Sequence, residues 1–201
     1  MADVTVAEEE YLQTLYWLYE ARLPMTGANV ARAMQLSAPT VHEMVGRLER
    51  DGHITRASDK TISFTESGRE HAEAIVRRHR LIERFLTDVL GIPWDEVHEE
   101  AERLEHAMSP VLEERMLAAI GDAKTCPHRH PLVEGVREEG ALLADVESGA
   151  TVHVLRLASE TRTQRPVIFV SQYSARPLSS GLSDRRKGSV RKAFIVASRQ
   201  C

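Results

Sequence analysis

Cysteine is nearly absent from this chain. Its 201 residues hold two, Cys126 and Cys201, too few and too far apart for a disulfide framework or a four-cysteine zinc site. Long apolar runs are missing as well. Nothing approaches the roughly 18 residues of a membrane-spanning helix, and the first residues lack a secretory-type apolar core. The expectation is therefore a soluble, cytoplasmic protein with no membrane partner. Excess positive charge is also lacking: the formal net charge is −4, so bulk composition carries no general mark of a nucleic-acid binder. Finally, the chain has no internal repeat, no phosphate-cradling glycine loop and no nucleophile–base set, which argues against an enzyme.

What is present is an uneven distribution of charge. Residues 1–20 include Glu8, Glu9, Glu10 and Glu20 and no Lys or Arg, and residues 95–115 set eight acids against Arg103 and Arg115. From Arg156 onward bases dominate instead. Like charges brought together in a fold repel, so two acidic blocks imply either a solvated face or a bound cation. Spacing has to decide between them. The length is enough to bury a sizeable core in one large or two to three small domains.

Apolar periodicity predicts a helix over Val6–Arg22, closed by Leu23-Pro24. Thr26 is placed to cap a short helix over Gly27–Met34. After the tight connector Leu36-Ser37-Ala38, Pro39 opens a helix to Asp51 with Val41, Met44, Val45 and Leu48 on its inner face. His53–Arg56 and Thr61–Thr65 read as a hairpin. Thr65 caps a long helix to about Leu90, and two more helices are expected over Asp95–Met108 and Pro110–Ile120. Cys126-Pro127-His128-Arg129-His130-Pro131 is a boundary loop. Leu142–Leu157 reads as strand–turn–strand, and beyond Ser159 only Val167–Tyr173 and Ala193–Ala197 are strand-like. The fold class is mainly α with some β. It divides into a winged helix-turn-helix over 1–72, a helical metal-binding and dimerisation unit over 73–140, and a partial or atypical SH3-like β region over 141–201.

Helix, short helix, tight turn, helix and hairpin, in that order, is the winged helix-turn-helix arrangement, whose second motif helix enters the major groove. Outside its core stripe that helix offers Ser37, Pro39, Thr40, His42 and Glu43. Hydroxyls bond phosphates or bases, proline can touch a thymine methyl, and a carboxylate can accept from a cytosine amino group. Arg47 and Arg50 follow where phosphates would lie, and Lys60 sits at the wing tip. The same pattern also suits an ordinary helical module in which the arginines are only solvated.

A second pattern lies further on. His79 and Glu83 are one turn apart, and His79 falls in line with the apolar Ile75, Ile82 and Leu86. His98, Glu102, Glu105 and His106 share one stripe, beside a core stripe of Val97, Ala101, Leu104 and Met108. Imidazoles and carboxylates on rigid supports at the margin of a core suit a first-row divalent metal. One such histidine would be an ordinary core residue; six ligand-type residues on two successive helices point to metal. Cys126, His128 and His130 form a C-x-H-x-H string with no second half, a weak zinc signal.

The segments Glu10-Tyr11-Leu12, Ser37-Ala38-Pro39-Thr40-Val41, Arg47-Leu48-Glu49-Arg50-Asp51-Gly52, His79-Arg80-Leu81 and Val97–His106, with the Cys126–Pro131 loop, resemble the diphtheria-toxin-repressor family of iron- and manganese-dependent regulators. The resemblance covers roughly residues 5–135 in one register. It implies a homodimer that binds palindromic double-stranded operator DNA, with two metal sites per subunit. The ancillary site would use His79, Glu83 and His98, and the primary, activating site Glu10, Glu102, Glu105 and His106. Iron-sensing members typically have methionine at the position of Glu10 and cysteine at that of Glu102. Hard carboxylates in both places favour Mn²⁺, with Fe²⁺ second. Two other readings stay open here: a helical metalloenzyme, and a winged-helix regulator that answers to an organic ligand.

Overall fold

Five of the six helices among the described residues begin on a threonine or serine whose hydroxyl accepts a backbone N–H of the first turn, a cap worth about 1 kcal/mol each. The computed structural model describes residues 4–132, 140–147, 152–158 and 167–172. Helix α1 (Val6–Glu20) opens with a reciprocal capping box: Thr5 accepts from the Glu8 N–H, and the Glu8 carboxylate accepts from the Thr5 N–H at 2.8 Å. Helix α2 (Gly27–Met34) starts at Thr26, and α3 (Ala38–Arg50) at Ser37 with Pro39 in its first turn. Strands β1 (Ile54–Arg56) and β2 (Ile62–Phe64) pair antiparallel with Ile54 opposite Phe64. The Ile62 N–H donates to the Met25 carbonyl at 2.8 Å, tying this wing to the loop before α2.

These elements share one apolar core of Tyr11, Leu12, Leu15, Val30, Val41, Val45, Leu48, Ile54 and Ile62, completed by Ala72, Ile75 and Val76 from α4 (Glu66–Asp88). The same long helix supplies Leu81, Ile82 and Leu86 to a second core with Val97 and Ala101 of α5 (Val97–Glu105) and Met116 of α6 (Pro110–Ile120). Helix α4 therefore connects the two cores as one rigid rod.

At the start of α4 the Thr65 N–H and the Gly68 backbone both approach His53: a Cβ built on Gly68 would lie 1.8 Å from the His53 carbonyl oxygen. Alanine normally improves a helix interior over glycine by about 1 kcal/mol. Here the sign reverses, because backbone must move to admit one methyl. Gly68→Ala is expected to lower stability by about 3 kcal/mol, measured as a shift in urea midpoint at constant slope; a neutral or stabilising result would show that α4 does not dock so closely on the wing.

Two expectations are corrected. Leu104 was expected on the core stripe of α5 but is 43 % exposed, while Glu105 is 1 % exposed. The buried line along α5 is Val97, Ala101, Glu105, successive positions four apart, so a carboxylate takes the third inward place. Residues Leu142–Leu157 were expected to form adjacent paired strands. Instead β3 (Ala141–Leu142), which runs into a 3-10 turn at Leu143–Asp145, and β4 (Val152–Ala158) flank β5 (Val167–Gln172), both antiparallel to it. The run Val167-Ile168-Phe169-Val170 is apolar on both faces, which suits a central strand better than an edge. The expected strand at Ala193–Ala197 lies outside the described residues. No helix of the described residues is long and apolar enough to cross a membrane.

Candidate metal centre and DNA-reading face

Serine at the N-cap and proline in the first turn fix where α3 starts, and its inward Val41, Val45 and Leu48 fix which way it faces. The other face is thereby presented to solvent: Ser37, Pro39, Thr40, His42, Glu43, Arg47 and Arg50 are all exposed, and so is Lys60 at the wing tip, which adopts a positive φ of 68°. The Ser37 and Thr40 hydroxyls bond each other at 2.7 Å. Arg47 lies 2.8 Å from the buried Glu8 carboxylate. That carboxyl's pKa is lowered: burial opposes ionisation, but the bonds from Thr5 and the Arg47 charge outweigh it. Arg47 is thus tethered to α1, whereas sequence spacing alone had it simply solvated or on phosphate.

Four-residue spacing on α4 puts His79 and Glu83 on its inner face, both fully buried. His98 comes over from the start of α5. His79 Nε2 lies 3.1 Å from Glu83 Oε1 and 2.9 Å from His98 Nδ1, and His98 Nδ1 lies 3.4 Å from the same Glu83 oxygen. Three donors bonded to one ion at about 2.1 Å are themselves about 3.0–3.4 Å apart, so these residues fit a shared divalent metal in both chemistry and spacing. The other ring nitrogens are anchored to carboxylates: His79 Nδ1 to Glu105 Oε2 at 2.6 Å, and His98 Nε2 to Glu102 Oε1 at 3.3 Å. Such outer partners orient ligand imidazoles. Burial alone would lower the His79 pKa, but Glu83 and Glu105 on either side raise it well above the ordinary value.

Beside this cluster Glu10, Glu102, Glu105 and His106 line one cavity of about 400 Å³ between α1 and α5, with Gln13, Thr14, Trp17, Met34 and Gln35. The cavity collects all four residues, but no three of them bring donor atoms within 4.8 Å of one another. Glu105 is turned to His79 and to the Gln13 amide, which donates to it at 3.0 Å. His106 Nδ1 bonds Glu9 at 2.7 Å, and that bond raises its pKa against the effect of burial. Glu10 itself is exposed at the cavity wall.

Residues 65–134 match the family model described as "Iron dependent repressor, metal binding and dimerisation domain", and residues 3–62 match "Iron dependent repressor, N-terminal DNA binding domain". The iron-dependent repressor IdeR of Mycobacterium leprae is 38% identical over 170 residues, 85% of this chain and 72% of that protein. The chain belongs to the iron-dependent repressor family. The diphtheria toxin repressor of Corynebacterium jeikeium is 36% identical over 174 residues, 83% of this chain and 72% of the relative. Among solved structures, a manganese-dependent transcriptional repressor in complex with manganese superposes with a TM-score of 0.69 at 33% identity, covering 76% of this chain and 72% of the other. The manganese regulator SloR gives 0.66 at 31%, covering 77% and 74%. This protein is thus a metal-dependent transcriptional repressor, and the winged reading unit and helical second unit described above are its DNA-binding and its metal-binding and dimerisation domains.

The repressor also holds residues that sequence patterning did not single out for a site. Trp17 stacks its edge against both His79 and His98, with ring centroids 5.6 and 5.7 Å away. Glu9, one place before Glu10, is the partner of His106. The C-x-H-x-H loop finds its missing half in α4: Glu83 Oε2 lies 3.3 Å from His128 Nδ1, and Glu83, Cys126 and His128 offer donor atoms within 4.8 Å of one another. His130 goes elsewhere, into a buried group with Glu20 of α1 and Arg80 of α4.

Proposed function

We propose that this repressor is a homodimer that answers to Mn²⁺ in preference to Fe²⁺ and grips a palindromic double-stranded operator. The cavity residues Glu10, Glu102, Glu105 and His106 would hold the activating ion, and His79, Glu83 and His98 an ancillary one. The observation that carries the reading is the position of the cavity, between α1 of the reading unit and α5 of the second core. An ion shared across it would fix the orientation of the reading unit on the dimer. Two recognition helices must stand about 34–36 Å apart to enter successive grooves, so fixing that orientation is what permits the operator to bind. Carboxylate donors in the cavity, with no sulfur among Glu10, Glu102, Glu105 and His106, favour the harder Mn²⁺.

The division of labour would follow the cores: 1–72 reads DNA through Ser37, Pro39, Thr40, His42, Glu43, Arg47, Arg50 and Lys60, 73–140 binds metal and dimerises, and 141–201 forms an SH3-like appendage. Leu90, Trp94, Val111 and Leu112, between 45 % and 67 % exposed, give the second unit an apolar surface suited to a second copy. An iron-responsive repressor is the second reading. It is favoured by the relatives named for iron and by the Cys126 thiol near Glu83.

Operator binding of the whole chain titrated with Mn²⁺, Fe²⁺ and Zn²⁺, with and without chelator, tests both readings. Mn²⁺ is expected to tighten binding by about 5- to 150-fold and chelator to reverse it. Equal affinity of stripped and Mn²⁺-loaded protein would overturn the account, and stronger activation by Fe²⁺ would select the second reading.

A further inference from the structure

Glu83 is a single buried carboxylate with different donors on its two oxygens. Oε1 faces the imidazoles of His79 and His98, at 3.1 and 3.4 Å. Oε2 faces His128 Nδ1 at 3.3 Å, and Cys126 belongs to that second group. We propose that Glu83 is a shared ligand with one cation seat on each oxygen: a nitrogen-rich seat with His79 and His98, and a softer seat with His128 and the Cys126 thiolate. The proposal rests on the metal-regulator reading and extends it to a paired centre with two chemically distinct seats.

Both seats are built into the fold. His79 and His98 are each held by their second nitrogen on Glu105 and Glu102, which leaves His79 Nε2 and His98 Nδ1 turned toward Oε1. On the other side Cys126 is 1 % exposed, and its loop is closed by the Cys126 N–H on the His130 carbonyl at 2.8 Å and by pairing of Thr125 with Pro131. Arg80 pins the same loop to α4 through the Pro131 carbonyl at 3.2 Å. The loop therefore delivers Cys126 and His128 to Glu83 from a fixed direction. A bridging carboxylate accommodates ions about 3.5–4 Å apart. Charge also favours the pair: a buried carboxylate and a thiolate together with three neutral imidazoles need compensating cations.

The two seats differ in preference. Two imidazoles and a carboxylate oxygen accept most first-row divalent ions, whereas a thiolate with an imidazole selects softer ones such as Zn²⁺ over Mn²⁺. The seat with Cys126 would therefore admit a softer ion beside Mn²⁺-compatible donors, and through Glu83 it would influence the seat that touches the cavity residues.

Co²⁺ is the probe, because thiolate ligation gives a near-ultraviolet charge-transfer band and bound ions can be counted after gel filtration of the full chain. The unaltered protein is expected to show the band. Cys126→Ser should remove the band and one Co²⁺ per chain. His98→Ala should remove one Co²⁺ per chain and keep the band, and the double variant should lose two. His128→Gln, at a less buried position, repeats the first test should Cys126→Ser fold poorly. A double variant that loses only the one ion lost by each single variant would mean a single seat and overturn the proposal, as would absence of the band in the unaltered protein. Mn²⁺-dependent operator binding of the same preparation is read separately, so the repressor reading stands or falls on its own.

Discussion

Glu102→Ala should abolish the metal dependence of operator binding while leaving the fold intact. The Glu102 side chain is 42% exposed, and its described contact is the 3.3 Å approach to His98. Truncation at such a position changes stability by no more than about 0.5 kcal/mol. Its value lies instead in the cavity, where it is one of three carboxylates facing across from α1 to α5. If an ion there couples metal to DNA, the 5- to 150-fold tightening expected from about 1–3 kcal/mol of coupling disappears with this carboxylate. Gel shifts with and without Mn²⁺, beside thermal melts, check both halves. Glu105→Ala is the instructive contrast. That carboxylate is buried and accepts from His79 and Gln13, so its loss should reduce stability as well as response. A Glu102→Ala protein that still responds to Mn²⁺ like the parent would remove the cavity from the mechanism.

Much of this was legible in the sequence because it is local. Caps at Thr26, Ser37, Thr65 and Ser109, the inward stripe of α3 and the four-residue spacing of His79 and Glu83 are properties of single helices. Helical spacing also indicated that His98 and Glu102 share a face, although it could not show that Glu102 would hold His98 rather than an ion. What escaped depends on distant segments. His128 meets Glu83 across 45 residues of chain, so the C-x-H-x-H string had no visible second half. Leu104 and Glu105 are neighbours in sequence, and only the angle at which α5 lies on α4 decides that the carboxylate goes inward and the leucine outward. The place of β5 between β3 and β4 is likewise a matter of topology, which periodicity within a strand does not encode.

The structure places metal donors on a continuous belt rather than in two separate pockets. Cys126 and His128 meet Glu83, Glu83 meets His79 and His98, and these meet Glu105 and Glu102 at the cavity. His106 and Glu9 extend the belt to α1. Because α1 packs in the reading unit, a change at any point of this belt has a contiguous polar route to the DNA-binding domain. Trp17, also on α1, adds an apolar contact to the same imidazoles.

Beside the belt, the buried group of Glu20, Arg80 and His130 should be the most sensitive point of the fold itself. All three are at most 4 % exposed. Arg80 Nη2 donates to the Glu20 carboxylate and to His130 Nδ1, and its Nη1 donates to the Pro131 carbonyl, so one guanidinium joins α1, α4 and the loop that carries Cys126 and His128. Removing either charge leaves the other buried without its partner, and Glu20→Ala or Arg80→Ala is expected to cost about 3–5 kcal/mol. Replacing both, as Glu20→Leu with Arg80→Met, should recover much of that loss, because no uncompensated charge remains. The pH dependence follows from the same geometry. Burial opposes ionisation of Glu20, but the bonds and charges of His130 and Arg80 outweigh it and lower its pKa from 4.5 to about 2. A depressed carboxyl stabilises the fold fully above its unfolded pKa and loses that contribution as pH falls toward the folded value. The gap corresponds to about 3 kcal/mol, lost between roughly pH 5 and pH 2. Urea unfolding of parent and Glu20→Gln across that window should show the parent losing stability more steeply than the variant. Parallel pH profiles would mean that this carboxylate carries no such coupling.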